Sequence, residues 1–153
     1  MSEITVLGLG NPLLRDDGVG PKVIEELNQR CLPEGVTATT AGGPFYLYQD
    51  IFARSNHIIV VDAMQGGGPT GSLYLMKPGD IKGETESITA KHEDDFLTVV
   101  EIMKYFGFAP EVTIIGIEPG DISPGLGLTP ELARRLPDIN KKIRAVIDRV
   151  ISE

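Results

Sequence analysis

The run His57-Ile58-Ile59-Val60-Val61-Asp62-Ala63 constrains the fold more than any other segment. Four consecutive β-branched apolar residues favour extended backbone. A strand without polar alternation has no face to give to water, so it belongs at the centre of a sheet covered on both sides. Ile4-Thr5-Val6-Leu7-Gly8-Leu9-Gly10 and Val112 to Ile117 read as further buried strands of the same kind. Val36 to Thr40 forms a second strand in chain order, and the alternating stretch Ser72 to Met76 suits a sheet edge.

Helical periodicity fills the intervals between these strands. Pro21 suits a first turn, after which Val19, Val23, Ile24, Leu27 and Cys31 share one face. Pro44 to Arg54 predicts a short helix. From His92 to Phe106, the residues Phe96, Val99, Val100 and Met103 give an amphipathic stripe. Thr129 with Pro130 is a helix start, and Leu132, Leu136, Ile139, Ile143, Val146, Ile147 and Val150 supply its apolar face. Pro137 predicts a kink or split in that last helix. Gln65 to Gly71 is a Gly- and Pro-rich loop, and the polar segment from there to Ala90 is irregular beyond the edge strand. Strands alternating with helices, without repeats or linkers, imply an α/β three-layer sandwich: a central, mostly parallel twisted sheet flanked by helices, as one domain over residues 1–153.

A chain of 153 residues with 41% hydrophobic and 24% charged residues can bury a core without disulfides or a structural metal. The lone Cys31 has no internal partner for a bridge, and its place near the end of a predicted helix points to packing. No basic-then-apolar leader opens the sequence, and no run reaches the roughly 18 apolar residues of a membrane span. The expectation is a soluble, unexported, cytoplasmic protein with no membrane partner. The formal charge of −8 and the lack of clustered Lys and Arg argue against nucleic acid. The same acidity favours a basic partner segment.

In a sheet of this type, ligands collect in the crevice outside the carboxyl ends of the strands. The loop Gly8-Leu9-Gly10-Asn11-Pro12-Leu13-Leu14-Arg15-Asp16-Asp17-Gly18-Val19-Gly20 lies there. It first suggests a dinucleotide, but Leu13 stands where the fingerprint needs its third glycine, and two adjacent acids oppose a pyrophosphate. No Gly-Lys-Ser/Thr follows, so the P-loop pattern fails as well. Asp16 and Asp17 precede a predicted helix and read either as helix capping or as chemistry. Asp62, at the end of the central strand, faces the same crevice. A carboxylate at that depth is costly unless paired, hydrogen-bonded or bound to metal, with a turn-forming aspartate as the alternative. His92 starts a helix beside Glu93, Asp94 and Asp95, either as an exposed first-turn residue or as a ligand; His57, at the start of a strand, reads as structural. Two carboxylates and one imidazole at a crevice would make an open site with oxygen and nitrogen donors for a first-row divalent ion.

Taken together, Gly8-Leu9-Gly10-Asn11 through Asp16-Asp17-Gly18-Val19-Gly20, then Val61-Asp62-Ala63, then His92, resemble the hydrogenase maturation endopeptidase family. The resemblance continues in Gly42-Gly43, in Gly116-Ile117-Glu118-Pro119 and in Gly125-Leu126-Gly127-Leu128-Thr129-Pro130, and so covers nearly the whole chain. It implies an α/β fold and an endopeptidase that cuts a C-terminal extension from a nickel-iron hydrogenase large-subunit precursor. It also implies that Asp17, Asp62 and His92 are the metal-contacting and catalytic residues. The metal would be nickel supplied by the precursor, with other divalent ions able to occupy the same ligands. Some members carry glutamate at the position of Asp17, and many carry Thr or Ser where this chain has Pro44. The alternatives are a related metallopeptidase with another substrate and a non-catalytic adaptor or chaperone for the same precursor.

Overall fold

The computed structural model describes residues 3–40, 45–81 and 91–153, with the side chains of residues 45–47, 81 and 91–95 outside the description. Among the described residues, five strands and five helices follow one another as β1 (Ile4–Gly8), α1 (Val19–Asn28), β2 (Val36–Thr40), α2 (Phe45–Arg54), β3 (His57–Ala63), β4 (Leu73–Met76), α3 (Pro78–Ile81), α4 (Lys91–Tyr105), β5 (Glu111–Ile117) and α5 (Pro130–Ser152). A 3-10 turn, Arg15–Gly18, leads into α1. The sheet order is β2-β1-β3-β5-β4. All neighbours pair in parallel except β4, which runs antiparallel to β5 at the edge. The expected mostly parallel α/β architecture is therefore present, with the Ile/Val-rich β3 at its centre.

Side-chain alternation along β3 divides the core in two. Ile59, Val61 and Ala63 join a cluster with Val19, Val23, Ile24 and Leu27 of α1 and Leu132, Leu136, Ile139, Ile143 and Ile147 of α5. Ile58 and Val60 join a second cluster with Ile51 and Phe52 of α2 and Phe96 and Met103 of α4. α1 and α5 thus cover one face, and α2 and α4 the other. Burial of β3 on both sides explains why its sequence carries no polar alternation.

Two sequence readings need correction. Cys31 is exposed and lies beyond the end of α1 at Asn28, so it packs on no helix face. Its predicted periodicity continued past the point where the chain turns toward Pro33. Pro137 does not split α5, which runs unbroken from Pro130 to Ser152. Buried Leu132, Leu136, Ile139 and Ile143 on both sides of the proline hold the helix to the sheet. That packing outweighs the one backbone donor Pro137 lacks.

Candidate active site

The chain leaves β1 through α1 toward β2 on one side, and leaves β3 toward β4 and β5 on the other. Adjacent parallel strands whose connections diverge in this way open a crevice at their carboxyl ends. Asp62 is the penultimate residue of β3 and pairs across the sheet with Gly116. Its alternation with Val61 and Ala63 places it on the face covered by α2 and α4, and it is 0% exposed.

The first loop reaches this point by close backbone approach. Leu9 donates its N–H to the Val61 carbonyl at 2.9 Å, fastening the loop's start to β3. Gly10 has φ +132°, and a Cβ there would lie 2.0 Å from the Asp17 carbonyl oxygen. Only glycine lets the chain fold back this tightly. Asp17, partly buried, accepts the Asn11 N–H on Oδ2 at 2.9 Å. At Gly20, a Cβ would sit 2.2 Å from the Leu9 carbonyl oxygen and 2.6 Å from that of Val61. Gly10, part of the pattern that suggested a dinucleotide, thus serves the loop's own fold, and Gly20 seats α1 on two strands.

Neither acid caps α1, whose N-cap, Gly18, has no side-chain hydrogen bond. Asp16 is instead a tertiary clamp at 0% exposure. Its Oδ1 accepts the Thr129 N–H at 2.7 Å; its Oδ2 accepts the Gly120 N–H at 2.7 Å, the Thr129 hydroxyl at 2.8 Å and the Asp121 N–H at 3.3 Å. Arg15, held at φ +48°, lays its guanidinium over Gly125, where a Cβ would come within 2.5 Å of Cζ. The loops are further joined by a parallel bridge between Leu14 and Gly125. The segment that follows β5 is therefore bound to the loop that carries Asp17.

The same segment holds the loop after β3. Glu118 is buried, and its Oε1 accepts the N–H groups of Gly66 at 2.8 Å and Gly68 at 3.1 Å and the Tyr74 hydroxyl at 2.5 Å. Desolvation, and then the Glu118 hydrogen bond, raise the Tyr74 pKa, keeping the phenol a donor. Sequence reasoning missed both clamps. The signal for Glu118 was present in Gly116-Ile117-Glu118-Pro119, where an acid directly follows a buried strand at the site edge.

His92 lies in the first turn of α4. β5 begins at Glu111, paired with His57 at the amino edge of the sheet, and α4 ends shortly before it, at Tyr105. Phe96 and Met103 of α4 pack in the core cluster on the Asp62 face of the sheet. Asp17 and Asp62 lie on the loop after β1 and at the carboxyl end of β3. The His92 side chain, Gly42, Gly43 and Pro44 lie outside the described residues. Among the described residues no three His, Cys, Asp or Glu side chains group around a metal position. His57 is at the opposite edge, where Nε2 hydrogen-bonds the Thr113 hydroxyl at 2.7 Å, as its structural reading expects.

The model of a protein family described as hydrogenase maturation protease matches residues 21–146. The chain belongs to that family. Hydrogenase 2 maturation protease of Escherichia coli is 25% identical over 147 residues, covering 94% of this chain and 90% of the relative. A hydrogenase expression/formation protein, HupD, of Bradyrhizobium diazoefficiens is 29% identical over 133 residues, with 84% and 69% covered. Among solved structures, the hydrogenase maturating endopeptidase HybD from E. coli superposes with a TM-score of 0.81 at 26% identity, over 97% of this chain and 93% of that one. The HycI protease of Thermococcus kodakarensis, at 21% identity and a TM-score of 0.77, shares the fold. As a hydrogenase maturation protease the protein is a peptidase.

Proposed function

We propose that this protease removes the C-terminal extension of a hydrogenase large-subunit precursor after nickel has been inserted, and that Asp17, Asp62 and His92 read the metal. The observation that carries the reading is the position of Asp62. It is a buried carboxylate at the carboxyl end of the central strand, at the divergence of β1 and β3 where ligands of such sheets collect, with the Asp17 loop fastened beside it. Nickel enters as part of the substrate, held by the precursor. Carboxylate oxygens and an imidazole nitrogen are donors suited to a first-row divalent ion, and other divalent ions take the same ligands.

In this reading Asp17 and Asp62 orient the loaded precursor so that one peptide bond lies at the crevice. Bound nickel supplies a positive centre that favours the developing negative charge. The partly exposed Asp17 is the group we assign to accept a proton from attacking water. A requirement for metal on the substrate makes cleavage conditional on completed insertion. The precursor is met in the cytoplasm, where the enzyme acts.

The test is the intact mass of a candidate large-subunit precursor, nickel-loaded or nickel-free, after incubation with the protein. Loss of a C-terminal fragment is expected only with nickel. Asp62→Asn, which preserves shape and removes charge, is expected to abolish it. Normal turnover by Asp62→Asn would remove Asp62 from the site, and equal cleavage of nickel-free precursor would remove the metal gate.

A further inference from the structure

We propose that Glu118 is a positioning residue for the cleavage, setting Asp62 and Asp17 relative to one another through the segment 118–129. The inference rests on the function proposed above. Asp62 is followed within three residues by the loop 65–71, whose Gly66 and Gly68 N–H groups both end on Glu118 Oε1. Backbone bonds pin the loop's far end to the same residue: Gly71 N–H to the Glu118 carbonyl at 2.9 Å and Glu118 N–H to the Ser72 carbonyl at 2.9 Å. Two residues on, Gly120 donates to Asp16, the neighbour of Asp17.

Gly120 is the point where the three loops meet. A Cβ there would lie 3.1 Å from Asp16 Oδ2, 3.3 Å from Thr70 Oγ1 and 3.4 Å from Thr129 Oγ1. One oxygen that takes three donors suits an anion. A buried neutral side chain without acceptors would leave two N–H groups and a phenol unsatisfied. Glu118 acts through the loop it holds. Gly66 and Gly68 lie against the Tyr74 ring, where a Cβ on either would approach within 2.6 to 2.7 Å. The loop thus rests on a flat surface and is held there by a charge-assisted bond.

The experiment measures kcat and KM on nickel-loaded precursor for the wild type, Glu118→Ala, Glu118→Gln and Ile147→Ala. Ile147 is a buried residue of α5 outside the site, and its truncation matches the loss of stability. Glu118→Ala is expected to lower kcat about tenfold or more, since displacements near 1 Å cost rate, with KM within about threefold. Glu118→Gln, which keeps an acceptor, is expected to recover kcat to within about threefold of wild type. Ile147→Ala is expected to lose Tm and retain kcat. Wild-type kcat in Glu118→Ala, failure of Gln to recover, or an equal kcat loss in Ile147→Ala would each overturn the proposal. Should Glu118→Ala not fold, Tyr74→Phe removes one of the three donors and is expected to lower kcat about threefold at constant KM; unchanged kcat there would overturn it. A wild-type protein that leaves loaded precursor intact would instead overturn the proposed function.

Discussion

Asp16 and Asp17 are adjacent carboxylates with opposite roles, and geometry separates what their chemistry does not. Asp16 turns inward and takes four donors from Gly120, Asp121 and Thr129, while Asp17 stays partly open and takes the Asn11 N–H. In Asp16→Asn the amide would present a donor to some of those donors. The expected cost is about 2–4 kcal/mol of folding stability, read as a lower denaturant midpoint with unchanged slope. A variant as stable as wild type would show that these bonds are replaced by water. From sequence both acids looked like helix caps or chemistry, because Asp16's partners lie more than 100 residues away. Asp62 was legible because a charge inside an Ile/Val run has few reasons to be there. Glu118 carried a similar signal, but its partners are backbone groups of a glycine loop, which no spacing announces.

Strands were the most legible elements. β2 and β3 run over the stretches read as strands from the sequence, Val36–Thr40 and His57–Ala63. β-branched runs covered on both faces leave little room for another reading. Helix ends were less certain, since packing rather than propensity holds them. Thr129 is the exception. Its hydroxyl accepts the Leu132 N–H at 3.4 Å as an N-cap and donates to Asp16, so a local cap and a tertiary tie share one side chain. Pro137 shows where local rules yield. It is exposed in mid-helix, and α5 continues through it because four buried residues on the sheet side fix the axis. Pro137→Ala removes no packing and restores a backbone donor. It is expected to stabilise the protein by about 1–3 kcal/mol, measured as a higher denaturant midpoint; a loss of stability would mean that the proline's geometry is used by the fold.

The whole molecule is polarised along its strands, with the acids at the carboxyl edge and His57 at the amino edge. That edge offers a pH response independent of the site. Burial lowers the His57 pKa from its ordinary 6.5, and this outweighs the opposing influence of Glu111 and Glu153; Lys77 lowers it slightly further. The sign follows from proton counting. With the folded-state value below the unfolded one, the unfolded chain binds more protons between the two, so stability rises with pH across that interval. The contribution is therefore fully present above about pH 6.5 and is lost as pH falls through the folded-state value. The hydrogen bond between His57 Nε2 and the Thr113 hydroxyl joins β3 to β5. His57→Gln retains a hydrogen-bonding side chain but cannot titrate. Urea unfolding at pH 7.5 and 5.5 is expected to show a smaller loss of stability on acidification for His57→Gln than for wild type. Equal losses would place the acid sensitivity among the carboxylates, and cleavage measured at the same two pH values would then be expected to change in step with stability rather than apart from it.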